Sequence, residues 1–140
     1  MAKEPFTVLM AEDDEHDIVA VKRAWKKYHI RNPLYIVHDG ISCLDFLHRR
    51  GKYSEPETAP RPGILLLDIK MPKMDGLAVL KQIRQDGNLC RLPVIILTTS
   101  TAEEDRLRSY DLGVNAYIVK PVGFENFSEA VRTINLFWEL

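Results

Sequence analysis

Five short apolar runs, rich in β-branched residues and about 25 to 30 residues apart, restrict what this chain can fold into. They are FTVLM (6–10), LYIVH (34–38), GILLLD (63–68), PVIILT (93–98) and NAYIVK (115–120). Each is too short for a stable helix, and each is followed by a segment with helical spacing. In DIVAVKRAWKKYH, Ile18, Val21, Ala24, Trp25 and Tyr28 recur at steps of three and four and form one apolar stripe. GISCLDFLHRR repeats this with Ile41, Leu44, Phe46 and Leu47, after an Asp-Gly pair. A third helix is predicted from about Leu77 to Gln85, with Leu77, Leu80 and Ile83 turned inward and an end at Asp86-Gly87-Asn88. A fourth is predicted to start at Ser100 or Thr101, each a hydroxyl followed three residues later by Glu103 or Glu104 in the pattern of a capping box. A fifth runs from about Phe124 to Glu139, with Phe124, Phe127, Val131, Ile134 and Trp138 on one face.

Strand and helix alternating five times predict an α/β fold, a parallel sheet with helices on both faces. The runs ILLL and VIIL are nearly unbroken in apolar residues, as strands covered on both sides require. At 140 residues, the expectation is a single domain over 1–140 with no separate output domain. A net charge of -1, from 19 basic and 20 acidic residues, gives no basic footprint for nucleic acid. No window is long and apolar enough to span a bilayer or act as a signal peptide, so no membrane partner is expected and the expected location is cytoplasmic. Cys43 and Cys90 match no metal or redox spacing and read as small buried thiols; His16, His29, His38 and His48 show no metal pairing, and Asp39 and Asp45 read as surface charges.

In parallel sheets of this kind the ligand site lies beyond the carboxyl ends of the strands. Those ends carry Glu12, Asp13 and Asp14, then Asp68, then Thr98, Thr99 and Ser100, then Lys120. Gathered at one edge, the carboxylates repel one another unless a cation is supplied. With oxygen donors only and no Cys or His nearby, Mg²⁺ is the expected cofactor. Asp68, exposed at a strand tip and held by the metal, is then a candidate nucleophile toward a phosphoryl group, while Thr98 donates to one phosphoryl oxygen and Lys120 neutralises another. Asp14 reads as a helix N-cap. A Mg-dependent phosphohydrolase with an aspartate nucleophile would also use a strand-end Asp, although Lys70 stands where its usual second Asp would be. Neither GxGxxG nor GxxxxGK[ST] appears, which disfavours a nucleotide-binding module.

Over essentially its full length the chain resembles a response regulator receiver domain of two-component signalling. The motifs that carry the likeness are AEDDE, LLLDIKMPKMDG, VIILTTS and AYIVKP. The resemblance implies the flavodoxin-like receiver fold, a five-stranded parallel sheet in the order 2-1-3-4-5 with five helices. It places the acidic metal pair on Glu12 and Asp13, the phosphoacceptor on Asp68, the metal-binding backbone carbonyl on Lys70, and the turn into the third helix on Pro72, Asp75 and Gly76. It further places the switch hydroxyl on Thr98, the switch aromatic on Tyr117, the site lysine on Lys120, and a cis peptide at Lys120-Pro121. The TTS segment, SYDLGVN (109–115) and the FWEL end are similar to single-domain regulators served by phytochrome-type histidine kinases. The implied partners are such a sensor kinase, a downstream protein or phosphotransfer protein, and a second copy of the chain. Phe137, Leu136 and Leu140 lie off the stripe of the last helix and are the expected dimer surface. Lys70 and Thr99, where polar or small residues are common in the family, suggest a long-lived phosphoryl group.

Overall fold

The computed structural model describes residues 5–121 and 123–138. Five strands, β1 (Thr7–Ala11), β2 (Leu34–Val37), β3 (Pro62–Leu67), β4 (Val94–Thr98) and β5 (Ala116–Val119), form one sheet. All the pairings are parallel and the order is β2-β1-β3-β4-β5, as expected. The helices are α1 (Glu15–Lys27), α2 (Gly40–His48), α3 (Gly76–Gln85), α4 (Glu103–Asp111) and α5 (Phe124–Trp138), with a short 3-10 turn at Gly51–Tyr53 in the connection from α2 to β3.

Alternation along the strands sorts the core into two layers. Leu9, Ala11, Leu65, Leu67, Val94 and Ile96 face α2 and α3. Val8, Met10, Ile64, Leu66, Ile95 and Leu97 face α1 and α5, against Val21, Trp25, Phe127, Val131 and Ile134. The Phe124 side chain lies outside the described residues. Burial pushes the Cys43 thiol up to about 12, as fits an inert core residue, while Cys90 is only half-buried.

Some local expectations change. Ile41 is exposed, and Cys43 takes its place on the buried face of α2. Asp39 is no surface charge: it is the α2 N-cap, accepting from the Ser42 N–H at 2.7 Å and from the Ser42 hydroxyl at 3.1 Å. Burial acts to raise its pKa, but the bonds from Ser42 and the Lys73 ammonium outweigh burial and lower it. Helix α4 starts at Glu103 after Ala102, without a capping box, because the Ser100 hydroxyl donates instead to Asp105 at 2.6 Å. The Lys120-Pro121 peptide, expected cis, is trans.

Below the sheet, the Arg84 guanidinium from α3 donates to the carbonyls of Gly113, Cys90 and Leu92 and to Asn115 Oδ1, pinning the connections that lead into β4 and β5. At the opposite, carboxyl edge, the chain leaves β3 and folds back at once. Gly76 N–H donates to the Ile69 carbonyl at 2.7 Å, and a Cβ at Gly76 would stand 2.1 Å from the Asp68 carbonyl oxygen. Only glycine permits that approach, so residue 76 fixes how close α3 starts to the strand tip. Gly76→Ala is expected to cost about 3 kcal/mol through this overlap, whereas Gly87→Ala, with nothing within 4 Å of the added methyl, stays within about 0.5 kcal/mol of the parent. Urea denaturation midpoints of the two variants check this, and equal midpoints would contradict it.

Candidate functional site

Glu12, Asp68 and Lys120 each stand one residue beyond a strand, and the ladder still holds their backbones. Their N–H groups donate to Val37 (2.9 Å), Ala11 (3.1 Å) and Thr98 (2.6 Å). Parallel pairing sets β1, β3, β4 and β5 to end at one level, so residues from distant parts of the sequence meet there. Their side chains point into a single cluster. Lys120 Nζ donates to Glu12 Oε1, to Asp17 Oδ2 at 2.8 Å and to Asp68 Oδ2 at 3.1 Å. Glu12 is 0% exposed, Asp68 7% and Lys120 8%. Asp68 is therefore covered, not exposed at the tip as the sequence suggested, because the Lys120 side chain closes over it from β5.

The electrostatics follow from that burial. Desolvation pushes the Glu12 carboxyl up to about 8, against the pull of Lys120, and the Asp68 charge adds to the rise. Burial disfavours the Lys120 ammonium, but its bonds to Asp17 and Glu12 and the Asp68 charge outweigh burial and raise its pKa. One oxygen has no counterpart: Asp68 Oδ1 is buried and has no hydrogen-bond partner. Beside it, Glu12, Asp13 and Asp68 each present an oxygen within 4.8 Å of the others, a spacing that could hold a metal ion. Asp13 is exposed and so gives the cluster an open side.

Thr98 ends β4 at the same edge, fully buried, and its Oγ1 accepts from Ser100 N–H at 3.4 Å. Tyr117, two residues back along β5, packs on the α2–α3 side of the sheet, and its hydroxyl donates to the Ser100 carbonyl at 3.0 Å. Lys70 lies exposed in the turn after Asp68. Asp14 is the α1 N-cap, accepting from His16 and Asp17 N–H at 2.8 and 3.3 Å. A cavity of about 440 Å³ lies at the other edge, where Pro62 and Pro93 lead into β3 and β4, away from these groups.

The comparison with known proteins fits this arrangement: residues 8–132 match the response regulator receiver domain. The chain belongs to that family. This receiver is 39% identical to response regulator Rcp1 of Synechocystis sp., over 96% of its own length and 89% of the relative's. It is 35% identical to the probable methanogenesis regulatory protein FilR2 of Methanothrix harundinacea, covering 98% of this chain and 86% of that one. Its fold overlays the structure of Mn²⁺-bound Rcp1 with a TM-score of 0.88 (39% identity, 96% of this chain and 94% of that one). The phosphorylated cyanobacterial phytochrome response regulator RcpA gives 0.90 (35% identity, 96% and 94%). The receiver is thus a signalling module of the two-component type, similar to phytochrome-associated regulators. No helix among its described residues is long and apolar enough to cross a membrane.

Two carboxylates that bond residues of this edge escaped the sequence reading. Asp17 hides in the acidic first turn of α1, where a carboxylate is already explained by the helix dipole. Asp105 is one of three acidic residues in the first turn of α4, and nothing in the sequence singles it out as the partner of Ser100.

Lys120→Met leaves the Glu12 carboxylate buried and unpaired, and is expected to cost about 3 kcal/mol at pH 8. Glu12 binds its proton more tightly folded, at about 8, than unfolded at 4.5, so the protonated form favours folding below about 4.5 and that contribution fades as pH rises to about 8. Raising the pH from 4.5 to 8 therefore costs the parent the stability that Glu12 protonation supplies, a dependence absent from Glu12→Gln. Urea titrations of the parent and both variants at the two pH values check this, and a parent that loses no more stability than Glu12→Gln toward pH 8 would contradict it.

Proposed function

We propose that this receiver accepts a phosphoryl group on Asp68 from the phosphohistidine of a sensor histidine kinase, with Mg²⁺ as the metal. The observation that carries this reading is the buried, unpartnered Asp68 Oδ1 beside two further carboxylates and an ammonium. Leaving a buried charged acceptor unsatisfied costs a few kcal/mol, which suits a site whose remaining partner arrives from outside. The donor set fits a hard divalent cation, since all three clustered side chains offer oxygen. Glu12, Asp13 and Asp68, with the Lys70 backbone carbonyl, would hold it. When bound, Mg²⁺ neutralises the carboxylates and the charge that develops on the transferring group.

The chain's own residues do the rest. A carboxylate lone pair of Asp68 attacks phosphorus, the P–N bond to the imidazole breaks, and the imidazole keeps the electron pair and takes up a proton. Lys120 stands beside Asp68 with a hydrogen-bonding ammonium for the phosphoryl oxygens, and the Thr98 hydroxyl serves another of them. Drawing Thr98 toward the phosphoryl group pulls on Ser100, whose N–H donates to Thr98 and whose carbonyl accepts from Tyr117. Tyr117 then turns into the space vacated, and the surface of α4, β5 and α5 changes shape. That surface already exposes Leu107, Tyr110, Val119 and Leu136, apolar groups suited to a protein partner.

The kinase is of the phytochrome type on this reading, by likeness to the phytochrome response regulator RcpA. The receiver then signals by binding a downstream protein or by passing the phosphoryl group on, and it acts in the cytoplasm. Of the expected dimer surface, Leu136 is exposed, while the Phe137 side chain and Leu140 lie outside the described residues.

Intact mass spectrometry after incubation with acetyl phosphate and Mg²⁺ tests the acceptor. The expected product carries one phosphate, which is absent from Asp68→Asn and from samples with the metal chelated. Continuous release of phosphate from simple esters, with no adduct, would support the phosphohydrolase instead.

A further inference from the structure

We infer that Asp17 is a positioning residue that restrains phosphorylation of the site by holding the Lys120 ammonium. The inference rests on the reading of Asp68 as the phosphoacceptor and goes beyond the residues that reading uses. Asp17 lies in the first turn of α1, where its backbone is fixed by the Asp14 cap. From there its carboxylate reaches the end of β5 and accepts from Lys120 Nζ at 2.8 Å, a shorter contact than the 3.1 Å from Lys120 to Asp68.

A lysine ammonium has only three N–H donors. In this structure Glu12, Asp17 and Asp68 each accept one of them. A phosphoryl oxygen arriving at Asp68 can receive a bond from Lys120 only when one of the three lets go. Glu12 has a side chain 0% exposed, so its released oxygen would stay buried without a partner, and the contact to Asp68 is the one that keeps the ammonium beside the incoming phosphoryl group. Asp17, with a side chain 22% exposed, is the one that water can solvate in place of the lysine. Releasing it is therefore the least costly way to free an N–H.

Charge acts in the same direction. Asp17 adds a fourth carboxylate beside Glu12, Asp13 and Asp68, and so opposes the approach of an anionic phosphodonor. Both effects make Asp17 a brake: it keeps the ammonium on the α1 side until the phosphoryl group competes for it.

The test is the rate of adduct formation with acetyl phosphate at saturating Mg²⁺, in the full chain and in Asp17→Asn, Asp17→Ala and Asp17→Glu, with melting temperatures recorded alongside. Asp17→Asn and Asp17→Ala are expected to react about three- to tenfold faster, the scale of a partly exposed ion pair, while Asp17→Glu stays within about twofold of the parent because the carboxylate is kept. A loosened fold would lower the rate together with the melting temperature, so a rise reports release of the ammonium and not structural damage. Unchanged or slower reaction of Asp17→Asn, or the same rise in all three variants, overturns the inference while leaving Asp68 as acceptor. Absence of any adduct on the parent chain overturns both.

Discussion

The site depends on one buried cation, the Lys120 ammonium, held by carboxylates from three separate parts of the chain. Glu12 follows β1, Asp17 belongs to α1 and Asp68 follows β3, so a single side chain from the end of β5 ties four elements together across one edge of the sheet. Three anions around one cation leave negative charge in excess, and Asp13 adds to it. The edge is thus stable enough to fold and still short of positive charge. That imbalance is what makes it receptive to a divalent ion.

The apolar sheet beneath makes this electrostatic arrangement possible. Strands β3 and β4 are buried on both faces, which fixes their height relative to β1 and β5 and so fixes where their last residues emerge. Gly76 lets α3 begin against the Asp68 carbonyl, and Arg84 fastens the connections that lead into β4 and β5 at the opposite edge. A site built at the ends of rigid strands keeps its geometry without support from a loop. At the Thr98–Ser100–Tyr117 linkage, two hydrogen bonds through one residue join the buried hydroxyl to a half-buried ring.

Much of this was legible in the sequence. The five apolar runs and the helical stripes predicted the layers, because burial on two faces and on one leave different periodicities. The strand-end residues Glu12, Asp13, Asp68, Thr98 and Lys120 were also predictable, since a parallel sheet must bring them to one edge. What stayed hidden depended on contacts between elements. Asp17 and Asp39 look like ordinary helix-start acids, and only the packed structure shows one bound to Lys120 and the other buried under Lys73. Ser100 looked like a capping residue, yet its hydroxyl is taken by Asp105 and its carbonyl by Tyr117, competing partners that local pattern does not reveal. The burial of Asp68 was missed for the same reason, because its cover comes from Lys120, 52 residues later.

Borohydride trapping tests the central role of Asp68 most directly. The reagent reduces an acyl phosphate to an alcohol, so an aspartyl phosphate becomes homoserine at the modified position. After reaction with acetyl phosphate and Mg²⁺, peptide mapping is expected to find homoserine at residue 68 and at no other aspartate. Homoserine at Asp13 or Asp17, or an intact aspartate at 68 in phosphorylated protein, would contradict it.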